Sequence, residues 1–493
     1  HPVSVPSSSG DLLTPSVVLF EDDGVVVGKE AVAASVLEPE RVAIDVKRDM
    51  GARSYHRPIN GKELPPEVIS SYILRKLKED AERVVGPLRE VVITVPAYFD
   101  EPRRRATMDA GRLAGLAVLE IINEPTAAAL AFAQRLGLLD ASGRIEGDKP
   151  LKALVYDLGG GTFDVTVVEL KTGSFRAITT DGDVYLGGKD WDQALVDMLA
   201  ESYLDAKGSD PREDPASLQD LRLAAEAAKR ALSERSHTPV VVNHRGVRHK
   251  VELTRAEFEE RTEGLVERTR ATTEIVVRQA KLTWSDIDRV LLVGGSTRMP
   301  MIRAMLRELT GKEPDASLPA DEAVALGAAI HAGLLLRREG RAEAEGANFE
   351  VTNVNAHSLG LVAIDVETGR KVNRVLIPKN TPLPCRVTGK FQTNKAGQKN
   401  VKLTVMEGES ELPSACTHVG DALIRGLPKD LPAAAPVQVR YTYQPDGTLT
   451  IHGSLVGRQA SVETEFQRVA ELSDEEFSFW VEHMTQTRNR MKK

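Results

Sequence analysis

The sequence predicts an α/β unit over the first two-thirds of the chain, then a β-rich unit, closed by one short helix. Three observations predict this. Apolar β-branched runs alternate with helical periodicity up to about residue 336. From about 354 to 466 the pattern becomes short alternating strands separated by turn residues. Between them, "RREGRAEAEGANFEVTN" is charged and poor in apolar residues, and reads as a tail helix running into a linker. At 493 residues the chain is also too long for one ordinary domain.

The elements follow in order. "EVVITVPAYF" reads as a strand stopped near its end by Pro96, followed by a helix over "EPRRRATMDAGRLAGL". "VLEIINEP" is a strand that runs straight into the helix "TAAALAFAQRLGLL", with Pro125 at the first helical position, where its missing N–H costs nothing. "VYDLGGGTFDVTVVEL" is strand, glycine turn, strand; "RVLLVGGSTRMP" is strand, glycine turn, then a helix entered at Pro300. The recurrence of glycine turns at 159–161 and 294–295 is what a duplicated, two-lobed fold would show. In "DLRLAAEAAKRALSERS", Leu221, Ala225, Ala228 and Leu232 recur at helical spacing and form a buried stripe. Further on, Pro445, Asp446 and Gly447 between alternating runs signal a hairpin. Ser473 with Glu476 three residues later makes a capping box that opens the last helix.

Composition narrows the function classes. Aromatics supply only 4% of residues, so cores drawn from the 41% hydrophobic fraction must rest on Val, Leu, Ile and Ala. The net charge of -8 argues against bulk attraction to nucleic acid or an anionic membrane. No apolar run approaches the roughly 18 residues of a membrane span. Two cysteines, Cys385 and Cys416, exclude a disulfide framework and point to a reducing compartment. The opening "HPVSVPSSSG" has neither an initiator methionine nor an apolar signal core, and reads as an interior start.

Two constellations carry chemistry. In the first, Gly159, Gly160, Gly161 and Thr162 form a turn whose N–H groups can close round phosphate oxygens, because no Cβ blocks the approach. A plain hairpin fits the glycines equally well. The flanking Asp157 and Asp164 would repel a bare phosphate but suit a hydrated cation beside it, and Glu124 stands in the same kind of place at a strand end. On its own, Glu124 is also explained as an acid favoured at a helix N-terminus. In the second, Glu226, Lys229, Arg230 and Ser233 form a polar stripe beside the buried one. They read either as a solvated face with a Glu226–Lys229 pair, or as a clamp for a purine and ribose.

Taken together, "VITVPAYF", "IINEPTAAALA", "VYDLGGGTFDVTVVEL", "LLVGGSTRMPM" and "DEAVALGAA", in that order, resemble the seventy-kilodalton heat-shock chaperones of the DnaK type. The likeness runs from about Asp11 to the final helix. It implies an actin-like two-lobed ATPase unit at 1–338, a linker at 339–353, a β-sandwich that binds extended peptides at 354–470, and the start of a truncated helical lid at 471–493. It implies ATP and ADP as ligands, with Mg²⁺ and K⁺. In this resemblance Asp157 and Glu124 organise Mg²⁺, Gly159 to Thr162 and Gly188 bind phosphate, and Asp164 helps hold K⁺. Lys47 positions the attacking water. Glu226, Lys229, Arg230 and Ser233 match the adenosine clamp, and Gly294, Gly295, Ser296, Arg298 and Asp321 complete that side. Pro96 and Arg104 resemble the switch that reports nucleotide state. Leu361, Ile364, Phe391, Val401 and Leu403 resemble the lining of the peptide cleft, although each also reads as ordinary sandwich core. The implied protein is a bacterial cytoplasmic, monomeric, stress-linked chaperone with unfolded clients, a J-domain co-chaperone and an exchange factor.

The sequence also departs from the family pattern. The family opens on a second phosphate loop of the form GIDLGTT, and this chain starts downstream of it. "GARSYHRPINGKELPPEV" is short in a region that exchange factors touch. Lys189 stands where glutamate is usual, Asn394 where a small residue usually arches over peptide, and "FEVTN" is a far less apolar linker than the family's, which predicts weak docking. These departures keep two alternatives in view: a non-hydrolysing peptide-binding scaffold, and another actin-fold ATPase or sugar kinase.

Overall fold

The computed structural model describes residues 2–139, 149–341, 349–456, 464–468 and 472–491. The first lobe opens with β1 (Val17–Phe20), β2 (Val25–Val27), α1 (Lys29–Ala34) and β3 (Val42–Ile44); the strands form an antiparallel sheet in the order β2-β1-β3. Helix α2 (Pro66–Val85) follows. Then β4 (Glu90–Val95), α3 (Glu101–Leu113) and β5 (Ala117–Asn123) make a parallel pair joined by a crossover helix. Asp100 caps α3 by accepting from the Arg103 N–H at 3.2 Å. Helix α4 (Glu124–Arg135) leaves β5 with no loop; Pro125 sits in its first turn, at the second helical position rather than the predicted first, because Glu124 already belongs to the helix.

The second lobe is built on β6 (Leu151–Leu158), β7 (Phe163–Lys171) and β8 (Ser174–Asp183), an antiparallel meander. Helices α5 (Gly188–Lys207) and α6 (Pro215–Glu234), the hairpin β9 (His237–His244) and β10 (Val247–Thr254), and α7 (Arg255–Gln279) cover one face. Strand β11 (Arg289–Val293) then pairs parallel with β6, and α8 (Pro300–Thr310) and α9 (Ala323–Arg338) follow. Strand β6 is apolar at consecutive positions because both its faces are covered: Leu154 and Tyr156 enter one core, Ala153 and Val155 the other, which α4 and α9 complete.

Strand β12 (Glu350–Thr352) pairs parallel with β8, Glu350 opposite Ser174, and extends the sheet to β11-β6-β7-β8-β12. The polar segment expected to dock weakly is therefore docked. Ladder hydrogen bonds come from the backbone whatever the side chains, and Phe349 and Val351 still pack on the core beneath. Of the expected linker, residues 342–348 lie outside the described residues.

The β-rich unit contains β13 (Leu359–Ile364), β14 (Lys371–Ile377), β15 (Cys385–Gln392), β16 (Val401–Glu407), β17 (Thr417–Ile424), β18 (Pro436–Tyr443), β19 (Leu449–Leu455) and β20 (Thr464–Arg468). Two sheets, β14-β13-β16-β17-β20 and β15-β18-β19, close over a shared core that includes Leu359, Val405 and Tyr441. The predicted hairpin turn joins β18 to β19, with Gly447 at φ +88°. Cys385 and Cys416 are free thiols. Helix α10 (Asp474–Met491) begins at the predicted box, Ser473 and Glu476 bonding reciprocally at 2.8 and 3.2 Å.

Candidate active site

The β6–β7 ladder ends at Leu158 opposite Phe163, and the turn between is closed by the Gly159 N–H on the Thr162 carbonyl at 3.0 Å. Its carbonyls are held from outside. The Gly188 N–H and the Ser296 hydroxyl both donate to Gly159 at 2.9 Å, the Lys189 N–H to Gly160 at 2.9 Å, and Arg48 Nε to Gly161 at 3.1 Å. Among the described residues the N–H groups of Gly160 and Gly161 have no backbone acceptor. Helix α5 starts at Gly188, so its positive end lies beside the same turn. Glycine is needed for this approach: a Cβ on Gly187 would stand 2.7 Å from the Gly160 carbonyl carbon, and one on Gly294, at φ +82°, 2.4 Å from the Leu158 oxygen. The second glycine turn thus follows β11 in the same sheet as the first. Parallel pairing of β11 with β6 sets the two turns side by side.

Asp157 and Asp164 face one another across the β6–β7 ladder, and Glu124 opens α4. Lys47, on the turn Val46–Asp49, places its Nζ 2.7 Å from Glu124 Oε1. Burial opposes the charge on Lys47, but Glu124, Asp157 and Asp164 outweigh it and hold the ammonium above its ordinary pKa. Burial, then Glu124 and Asp164, push Asp157 well up; Lys47 offsets only part. Asp164 is raised to about 7 by burial and by Glu124, against the pull of the Tyr98 N–H at 2.9 Å. Three acids thus share one lysine. The donor set is all carboxylate oxygen, the chemistry of a hard divalent cation. Among the described residues no cluster of three acids, histidines or cysteines is close enough to ligate a metal directly.

On α6 the predicted stripe is buried, Leu221, Ala225, Ala228 and Leu232 all within the second-lobe core. The polar stripe divides. Lys229 turns toward α5, donating to the Gly188 carbonyl at 2.8 Å and to Asp192 at 2.7 Å. Glu226 therefore pairs with Arg230 at 2.5 Å rather than with Lys229, and the Ser233 hydroxyl bonds back to the Lys229 carbonyl at 3.0 Å. Arg298 meets Asp321 at 2.5 Å, next to Gly295. Two contacts that the sequence reading missed bridge the lobes: Arg48 with Asp190 at 2.6 Å, and Lys189 with Asp45. Lys189 is lowered to about 8, first by burial.

The loop 96–101 links this site to the β-rich unit. Pro96 ends β4 and its carbonyl accepts the Phe99 N–H at 3.2 Å. Arg104 is buried, donating to the Phe99 and Ala97 carbonyls and, at 2.6 Å, to Asn123 Oδ1, with its stem against Gly447 of the β18–β19 turn. Tyr98 gives its N–H to Asp164, while its carbonyl accepts from His357 Nε2 at 2.9 Å. Glu407, buried in β16, accepts the Glu101 N–H at 2.8 Å. Lys379 pairs with Asp181 at 2.7 Å and the Thr126 hydroxyl reaches Asn353 at 2.7 Å. Sequence reasoning singled out Pro96 and Arg104 but missed Tyr98, His357, Lys379 and Glu407. The one signal was a carboxylate closing the apolar run of β16.

A family model described as Hsp70 protein matches residues 2–60 and 55–493. The chain belongs to the Hsp70 family. It is 41% identical over 462 residues to the chaperone protein DnaK of Thermotoga petrophila, covering 92% of this chain and 74% of that one. It is 40% identical over 461 residues to DnaK of Thermosipho melanesiensis, covering 92% and 74%. Against DnaK of Halobacterium salinarum it is 39% identical over 483 residues, covering 96% and 73%.

The five positions matched to the Hsp70 peptide cleft are not equivalent here. Leu361 and Leu403 are 2% exposed, sealed in the sandwich core, because they point between the two sheets. Phe391 and Val401 are partly buried against that core, and Ile364 is half exposed. Asn394 is exposed on a loop where its N–H bonds to Gln398 at 3.1 Å. Helix α10, the expected start of an Hsp70 lid, rests on the first lobe. Met484 is buried against α2, accepting from Ser71 at 3.2 Å through its sulfur and from Arg75 at 3.2 Å through its carbonyl. Leu472, Phe477 and Trp480 complete this contact.

Proposed function

We propose that this chain is an ATP-dependent molecular chaperone that binds extended hydrophobic segments of unfolded polypeptides, with nucleotide setting capture and release. The observation that carries it is a single junction. The pinned glycine turn and the acid–Lys47 cluster lie in one cleft, and Tyr98 connects Asp164 of that cleft to the docked β-rich unit. Residues 1–338 form the nucleotide-binding and hydrolysing unit, 354–470 the peptide-binding unit, and 471–493 the start of a lid. The protein acts as a cytoplasmic monomer served by a J-domain partner and an exchange factor.

In this reading the Gly160 and Gly161 amides and the α5 N-terminus receive the phosphates. Lys229, Glu226, Arg230 and Ser233 face the nucleoside, with Arg298 and Asp321 opposite. Glu124 and Asp157 would hold Mg²⁺ through water and Asp164 would hold K⁺; a divalent ion held there would supply charge neutralisation at the transferred phosphoryl group. Lys47, oriented by Glu124, holds the attacking water in line. Catalysis rests on position and charge, so turnover is slow.

Replacing Lys47 by Ala should leave ATP binding within a few-fold and lower single-turnover hydrolysis by about a hundredfold or more. Unchanged turnover in that variant removes Lys47 from the mechanism. Peptide binding that ignores nucleotide would instead identify a scaffold.

A further inference from the structure

The turn that carries Lys47 sends its charged side chains to three different partners. It is a 3₁₀ turn over Val46–Asp49, entered at Asp45 in the left-handed conformation, φ +65° and ψ +17°, which aspartate tolerates. The Arg48 N–H closes it on the Asp45 carbonyl at 2.9 Å. In such a turn residues three apart eclipse, and successive residues stand about 120° apart. Asp45 and Arg48 therefore share one side, which faces the start of α5. Lys47 is turned off that side toward Glu124, 2.7 Å away.

On the shared side the ion pairs are crossed in sign. Arg48 meets both oxygens of Asp190, at 2.6 and 3.4 Å, and Asp45 meets Lys189. Exchanging the partners would set Asp45 against Asp190 and Arg48 against Lys189, like charge against like, so one docking of the turn is favoured over its neighbour. Arg48 also reaches past α5. Its Nε donates to the Gly161 carbonyl at 3.1 Å. The donors to the Gly159 and Gly160 carbonyls, from Gly188, Lys189 and Ser296, all belong to the second lobe. Among the described residues Arg48 alone reaches the glycine carbonyls of the phosphate turn from the first lobe. Asp190 in turn accepts the Gly187 N–H at 2.7 Å, so one guanidinium grips the phosphate turn and the helix start beside it. A planar fork of donors can do this, and a single ammonium cannot.

The four paired side chains are between 23% and 41% exposed, so the two pairs add little to stability. What they fix is distance. Lys47 belongs to the first lobe and the phosphate turn to the second, and Arg48, next to Lys47 in the chain, ties one to the other.

We propose that Arg48, with Asp45 as a second strut, is a positioning residue for hydrolysis: it registers the Lys47 turn against the phosphate turn, so that Lys47 takes its working place only when the lobes are closed. The inference rests on the reading of Lys47 given above. Arg48 acts through Lys47, because its own guanidinium is already engaged by Gly161 and Asp190.

The test compares Arg48→Gln, Lys47→Ala and the double variant in the full chain, by equilibrium ATP titration and single-turnover hydrolysis of radiolabelled ATP. Arg48→Gln should bind ATP within about threefold of the parent and hydrolyse it about tenfold more slowly, the scale expected for a displaced reacting group. In the double variant the loss of Arg48 should add nothing, leaving hydrolysis within about twofold of Lys47→Ala alone, since residues that act through one another are not additive. Should Arg48→Gln fail to fold, Asp45→Asn carries the same test: asparagine keeps the left-handed backbone, and the variant should be about threefold slower than the parent and silent beside Lys47→Ala. A parent-like rate in Arg48→Gln, or a further tenfold loss in the double variant, overturns the proposal while the role of Lys47 stands. A parent-like rate in Lys47→Ala overturns both.

Discussion

Gly327 offers a sharp energetic test of the fold. It lies in α9 where that helix crosses α4, and a Cβ there would stand 1.7 Å from the Ala127 carbonyl oxygen and 2.3 Å from its carbon. Both clashing groups are backbone, so no side chain can rotate aside. Restoring contact distance requires the helices to separate by about 1.5 Å, opening a core that α4 fills with the small residues Ala127, Ala128 and Ala131. Overpacking costs about 3 kcal/mol at the upper end of its usual range. The helix-propensity gain of Gly327→Ala returns about 1 kcal/mol, leaving a loss of about 2. For a unit of about 340 residues, whose unfolding entropy is about 0.7 kcal/mol/K, that lowers Tm by about 3 °C. Gly333, less than two turns along the same helix, supplies the control: nothing lies within 4 Å of its Cβ position, so Gly333→Ala should raise Tm by about 1–2 °C. Thermal unfolding followed by calorimetry reads both. The reasoning fails if the two variants move together. Because α4 begins at Glu124, the Gly327→Ala chain should also bind ATP more weakly, which equilibrium titration measures.

Three other outcomes are expected. Lys189→Glu sets two carboxylates against each other across the cleft, at Asp45, and should speed ADP release several-fold in stopped flow at low salt, less so at high salt. Val351→Asp places a charge where β12 packs on the core; losing roughly 1–2 kcal/mol of burial there should abolish stimulation of ATP turnover by added peptide. Docking of the β-rich unit should depend on pH from two sides. Burial, beside Asp100 and Glu101, raises the Glu407 pKa well above that of a free carboxyl, so its support of docking is complete below about 4.3 and is lost as pH rises through the raised value. Burial lowers the His357 pKa, against the Tyr98 carbonyl, Glu409 and Asp100 and with Lys379 nearby, so its support of docking is complete above about 6.5 and is lost as pH falls from there through the lowered value. In a fluorescence-transfer titration between the units, Glu407→Gln should remove the alkaline limb and keep the acid one; an unchanged profile would falsify this assignment.

Much of the architecture was readable in the chain itself. Period-2 and period-3.6 patterns located the strands and helices, Pro125 and Pro300 marked helix starts, the Ser473–Glu476 box marked the last one, and the buried stripe of α6 fell where spacing put it. These are local signals, since each rests on residues within a few turns of one another. The glycine turn with its flanking acids was legible for the same reason: Asp157, Gly159 and Asp164 belong to one hairpin.

Contacts between distant segments were not legible, because pairing partners leave no mark in local periodicity. Only the parallel register of β11 on β6 puts both glycine turns in one lobe, and only the edge of β8 shows that a polar strand can dock through its backbone. The choice of Arg230 over Lys229 as partner of Glu226 was settled by Asp192 on another helix. Core and cleft were likewise divided by the sandwich, which sealed Leu361 and Leu403 while leaving Ile364 exposed. The sequence by itself determined which elements form and which chemical groups they carry. The tertiary structure decided which of those groups meet, because long-range contacts arise from the combined packing of segments hundreds of residues apart.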